Sequence, residues 1–138
     1  MLFEAKLKVA KPIDTGELKE VKEHYILDAE LFSDAEKKMF ELYPNQAIDV
    51  FSIGRSDVTE IINNKEDDKP FFKATIIDVY IDDVTGKEKE VKYYMLVCAD
   101  NVVDATLLVN EHLKQGYNLR LDGIKRVKII DYIKYLSE

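Results

Sequence analysis

The side chains able to do chemistry are few and scattered along this chain. There are two histidines, His24 and His112, and one cysteine, Cys98, in 138 residues. A zinc centre needs three or four ligands at short range, and a two-histidine site here would require convergence from distant segments, so no metal site is expected. Cys98 stands in the apolar run "MLVCAD", where a cysteine packs as a small hydrophobe. A reactive thiolate wants a neighbouring cation or a helix N-terminus, and the helix starting near Asp100 is the nearest such feature. Neither a nucleophile with its base nor a pair of tuned carboxylates can be assembled from the spacing. No catalytic residue and no cofactor is expected.

Two patterns point to binding instead. Arg55 and Arg126 recur at equivalent places, each followed five residues later by an acid, Glu60 or Asp131. Such pairs suit exposed ion pairs contributing about 0–1 kcal/mol each, or a symmetric anion grip in which guanidinium forks recognise planar oxygens. The second pattern interleaves Phe71, Phe72, Tyr80, Tyr93, Tyr94 and Tyr117 with Lys73, Lys87, Lys89 and Lys92. Single-stranded nucleic acid binds such surfaces when bases stack on rings and lysines follow the backbone. Arg55, Arg126, Lys73, Lys92 and Tyr94 are therefore the candidate anion or nucleic-acid contacts.

The elements that must position these groups are written twice. "TGELKEVKEHYILDAE" begins at Thr15 and "TGKEKEVKYYMLVCAD" at Thr85; before them Leu2, Phe3 and Ala5 match Phe71, Phe72 and Ala74. After them Asp34 and Ala35 match Asp104 and Ala105, and "IGRSDVTEII" from Ile53 matches "IKRVKIIDYI" from Ile124. Order preserved over such lengths is the mark of an internal repeat. Each copy predicts strand, turn, strand, helix, strand. Phe3, Ala5, Leu7 and Val9 alternate with charged residues as in a half-buried strand, and Gly16 and Gly86 supply the turns. Ser33 and Glu36 form a capping box for a helix whose stripe is Phe32, Ala35, Met39, Leu42 and Tyr43, stopped by Pro44. In the second copy Asp100 or Asn101 caps, Val102, Ala105, Leu108, Val109 and Leu113 form the stripe, and Gly116 ends it. Residues 47–62 and 117–133 read as long final strands kinked or bulged at Gly54 and Gly123.

These elements predict an α+β fold of two tandem ββαβ repeats, residues 1–62 and 71–138. An acidic linker, 63–70, carries Glu66, Asp67 and Asp68. Each repeat is an antiparallel-rich sheet of order 2-1-3 with one helix. Three strands and a helix bury too little to stand alone, so the repeats are expected to share one core about a pseudo-twofold.

Hydrophobic residues are 46% and charged residues 34% of the chain, a composition that folds throughout. The net charge of -7 and a pI near 4.9 oppose broad contact with duplex phosphates. The single cysteine suits a reducing compartment. No apolar run reaches the roughly 18 residues that cross a bilayer, and "MLFEAKLK" lacks a signal peptide's apolar core. A cytoplasmic protein without a membrane partner is expected.

The motifs "LFEAK", "YILDAELFSDAE", "IGRSDVTEI" and "MLVCAD" resemble an uncharacterised domain-of-unknown-function family of gut bacteria and their phages. The resemblance covers nearly the whole chain, with Leu2 where that family carries an aromatic. It implies a phage or mobile-element setting and supplies no catalytic residue. Between the copies Lys8 becomes Ile77, Ala10 becomes Val79, His24 becomes Tyr94 and Asp28 becomes Cys98. A charged face turned apolar predicts a contact surface made by Phe71, Ile77, Val79, Tyr94 and Cys98. The function expected is non-enzymatic binding through that sheet surface, as a homodimer or with a protein partner. The alternative is single-stranded nucleic-acid binding through aromatic and Lys residues on the sheet.

Overall fold

The computed structural model describes residues 1–62, 69–114 and 119–134. In chain order the elements are β1 (Leu2–Pro12), β2 (Leu18–Asp28), α1 (Phe32–Glu41), β3 (Asp49–Arg55) and β4 (Val58–Ile62), followed by β5 (Phe71–Ile81), β6 (Glu88–Cys98), α2 (Val102–Leu113), β7 (Leu119–Arg126) and β8 (Ile129–Ile133). They form two four-stranded mixed sheets of orders β3-β1-β2-β8 and β4-β6-β5-β7. The fold is α+β with two similar halves.

Alternation builds the first sheet. Phe3, Ala5, Leu7 and Val9 on β1 join Tyr25 and Leu27 on β2 and meet Ala35 and Met39 of α1 in one core. The second sheet repeats this: Phe72, Ala74 and Ile76 with Met95 and Val97 pack on Ala105, Val109 and Leu113 of α2. Gly16 and Gly86 adopt φ of 84° and 68° in the two hairpin turns, a conformation glycine reaches without strain.

The segments expected as single long strands each break in two. Ser56 N–H donates to Leu2 O at 2.9 Å and Val127 N–H to Phe71 O at 3.1 Å, closing the β3 and β7 ladders. The chain then leaves its own sheet. β4 pairs parallel with β6 in the second sheet, and β8 pairs parallel with β2 in the first. Each expected three-stranded sheet thus gains a fourth strand from the other half, on the outer edge of its second strand. An open edge exposes unpaired N–H and C=O groups, and the added strand satisfies them. The two compact units are accordingly Met1–Ser56 with the segment from Ile129, and Asp57–Lys128, rather than 1–62 and 71–138.

Other expectations shift locally. The ladder irregularities leave Phe51 and Asp122 unpaired opposite β1 and β5, so one bulge sits three residues before Gly54 and the other immediately before Gly123. α1 starts at Phe32 with Leu31 as its N-cap and no side-chain cap, which places the Ser33 hydroxyl inside the first turn instead of in front of it. Asn101 caps α2, accepting from Asp104 N–H at 2.9 Å. Glu66, Asp67, Asp68, Gly116 and Tyr117 lie outside the described residues.

Truncating the chain after Lys128 removes β8 and leaves β2 as an edge. Hydrogen exchange is expected to show lost protection at Tyr25–Leu27 with Met95–Val97 still protected. Unchanged protection at Tyr25–Leu27 would contradict the exchange.

Candidate functional site

The outer face of α2 departs most from what its scaffold requires. The helix buries Ala105, Val109 and Leu113, one stripe at helical spacing. Val102 and Leu108, expected in that stripe, are exposed, together with Val103 and Leu107, the latter two at 64% each. Val102 opens the first turn and Leu108 lies off the stripe, and neither belongs to the core cluster. Phe32 and Val102 both open their helices, which makes α1 an internal control. At the places of Val103, Leu107 and Leu108, α1 carries Ser33, Lys37 and Lys38. The same frame therefore tolerates polar residues there, and the apolar ones are not needed for folding. Leu107 and Leu108 border a surface cavity of about 380 Å³, with Lys69, Asp100 and Asp104 at its polar end. Lys69 and Asp100 approach to 3.8 Å.

The residues expected to form an apolar sheet surface stand differently. Phe71, Ile77 and Cys98 are buried within the single chain, while Val79 and Tyr94 are half-buried. Met95 to Ala99 are buried without interruption. A strand covered on both faces reads as a continuous apolar run, which accounts for the apolar substitutions in the second copy without an exposed patch. Three of the five have no area to offer a partner.

The candidate anion contacts are dispersed. Arg55 and Arg126 are exposed at matching strand ends, opposite Phe3 and Phe72, and among the described residues neither makes a salt bridge. Glu60 instead pairs with His112 at 3.1 Å. Lys92 is exposed. Lys73 is engaged: its Nζ lies 2.6 Å from Asp57 and 4.7 Å from the centre of the Tyr94 ring. One face of that ring is thereby covered by an ammonium group.

Two polar clusters in the first half were not foreseen. His24 Nε2 lies 2.9 Å from Glu4 Oε1, and Ser56 Oγ donates to Glu4 Oε2 at 2.5 Å. The carboxylate stands between serine and histidine, an order that cannot pass the serine proton to the imidazole. Across the described residues no group of three or more His, Cys, Asp or Glu side chains is placed to hold a metal ion.

The second cluster centres on Glu23, whose carboxylate is 5% exposed. It accepts from Lys11 Nζ at 2.7 Å, from Tyr25 Oη at 3.1 Å and from Tyr43 Oη. Burial alone would push the carboxyl pKa up; the hydrogen bonds from Lys11 and Tyr43 more than reverse this and hold it below the ordinary range. The same hydrogen bond to Glu23 raises Lys11, and burial, then the Glu23 charge, raises Tyr25. In the second sheet Tyr93 and Met95 face Ile76 and Ala74 where Glu23 and Tyr25 face Leu7 and Ala5. The network belongs to the first half alone, and its satisfied oxygens suit a structural bond.

Glu23→Gln should cost about 1–3 kcal/mol at neutral pH, toward the lower end because water screens Lys11, which is 43% exposed. The sign with pH follows from the depressed pKa: the carboxylate's contribution is present above the unfolded value of about 4.5 and is lost as pH falls through the folded value. Lys11 behaves oppositely, its contribution present below the unfolded value and lost as alkaline pH rises through the folded one. Urea denaturation across the acid range should be flatter for Glu23→Gln than for wild type. Equal stability and equal acid sensitivity would exclude the bond as a stabilising one.

Neither a curated protein nor a solved structure matches the chain. A family model for a domain of unknown function, DUF4494, matches residues 1–135. With that match running over both halves and both sheets, the chain belongs to the DUF4494 family.

Proposed function

We propose that this chain is a non-enzymatic binding module that holds a protein partner on the outer face of α2. The observation that carries the reading is the contrast between two helices on one frame: Ser33, Lys37 and Lys38 on α1 against Val103, Leu107 and Leu108 on α2. Apolar residues kept in water without a folding role are accounted for by a contact that buries them. The surface thus lies on the helix rather than on the sheet. The matched offsets of the elements support an internal duplication in which one copy kept a solvated helix and the other acquired a contact. A phage or mobile-element setting and a cytoplasmic location rest on the sequence motifs, the composition and the single cysteine.

The test is capture with the full chain and with a variant carrying Val103→Ser, Leu107→Lys and Leu108→Lys, which gives α2 the outer residues of α1. Circular dichroism should show both folded. Nuclease-treated lysate of infected cells is expected to yield a protein on the wild type that is reduced at least roughly tenfold on the variant, a difference of about 1.4 kcal/mol. Identical capture by both proteins would refute the α2 surface. Capture abolished by nuclease would assign the binding to nucleic acid instead.

A further inference from the structure

We infer that the partner held on this face is a second copy of the chain, docked with its α2 antiparallel and with a twofold axis at Leu107. The inference rests on the reading of α2 as the contact surface and names its occupant. Val103, Leu107, Asn110 and Lys114 follow one another along the exposed side of the helix at spacings of three and four residues, the spacing of one face. Val103 and Leu107 form the apolar part of this line, with Asp100 ahead of the helix and Lys114 at its end carrying opposite charges.

Asp100 precedes the helix and Lys114 closes it, and the two stand equally far from Leu107 on either side. A twofold at Leu107 therefore sets each Asp100 opposite the Lys114 of the other copy and each Leu107 against its counterpart. Asp104 falls opposite Asn110, and Val103 falls beside the methylenes of Glu111. Within the chain these charges have only loose surface partners: Asp100 lies 3.8 Å from Lys69, and Lys114 pairs with Glu111 at 3.2 Å with both side chains about three-quarters exposed. Both are free to re-pair. Antiparallel docking also places each helix's positive N-terminal end beside the other's negative C-terminal end. A parallel pairing would set Asp100 against Asp100 and Lys114 against Lys114. A twofold contact needs only one self-complementary patch, and the charges at Asp100 and Lys114 give this face that property. A helix of about 18 Å offers less than the roughly 800 Å² per partner of a standard interface, so the dimer is a weak one.

Sedimentation velocity of the full chain from roughly 10 μM to 1 mM, the range in which small interfaces assemble, should show wild type moving from monomer toward dimer. Leu107→Lys should stay monomeric, while Phe40→Lys on the exposed side of α1 should associate as wild type. Asp100→Lys and Lys114→Asp should each weaken association by about threefold or more, the scale of an exposed ion pair, and the two together should restore it. Under mild oxidation Leu107→Cys should form a disulfide-linked dimer, with Lys37→Cys remaining monomeric. Wild type that stays monomeric throughout, or a double charge variant weaker than either single one, would overturn the inference. A monomer that still captures another protein through α2 overturns the self-docking alone; loss of α2 dependence in both assays overturns the wider reading as well.

Discussion

The parallel pairing of β8 with β2, mirrored by that of β4 with β6, is the constraint on which the structure rests. It joins His24 to Ile129 and Tyr25 to Asp131 in one sheet, and Tyr94 to Val58 and Met95 to Glu60 in the other. Even the irregularity is shared, with Ile130 and Thr59 each passed over at the same step. Without it β2 and β6 would be outer strands with unpaired backbone groups, and each sheet would have three strands. Neither half can complete its sheet from its own residues. Parallel strands need a long crossover connection; between β2 and β8 it comprises residues 29–128, and between β4 and β6 residues 63–87.

This arrangement leaves the helices with a limited duty. α1 contributes Ala35 and Met39 to its core, and α2 contributes Ala105, Val109 and Leu113. Residues outside those stripes are less constrained by the core, and the two halves fill them differently. At three matched positions α1 carries Ser33, Lys37 and Lys38 where α2 carries Val103, Leu107 and Leu108, while Phe32 and Phe40 on α1 are exposed as well. A similar divergence runs through the sheets, where Glu23, bonded to Lys11, Tyr25 and Tyr43, gives way to Tyr93. The frame is held in common while the surface character is local.

Much of the frame was legible in the residues. Period-two alternation marks β1 and β2, the Thr-Gly pairs mark the turns, and Asn101 marks a cap. The strand exchange was not legible, because a β-rich run through Ser56 or Val127 looks the same whether it continues in one sheet or crosses to another; a single hydrogen bond to Leu2 or Phe71 decides it. Ile77 and Cys98 misled for a related reason, since an apolar residue on a sheet's second face reads alike whether that face meets protein or a partner. The α2 surface left a signal that a stripe assignment absorbed. Val102 and Leu108 fit a helical period loosely, and only the position-by-position comparison of Lys37 and Lys38 with Leu107 and Leu108 separates core from surface. Glu23 left no such signal, because its burial depends on Tyr43 returning from beyond the helix.

If each half completes the other's sheet, β8 opens with β1 and β2, and β4 opens with β5 and β6. Native-state hydrogen exchange with increasing denaturant measures the opening free energy of each strand. The amides of β8 should share the opening free energy and denaturant dependence of those of β2, and the amides of β4 those of β6. Amides of β8 that open with β5 and β6, or of β4 that open with β1 and β2, would contradict the exchange as the constraint that holds this fold.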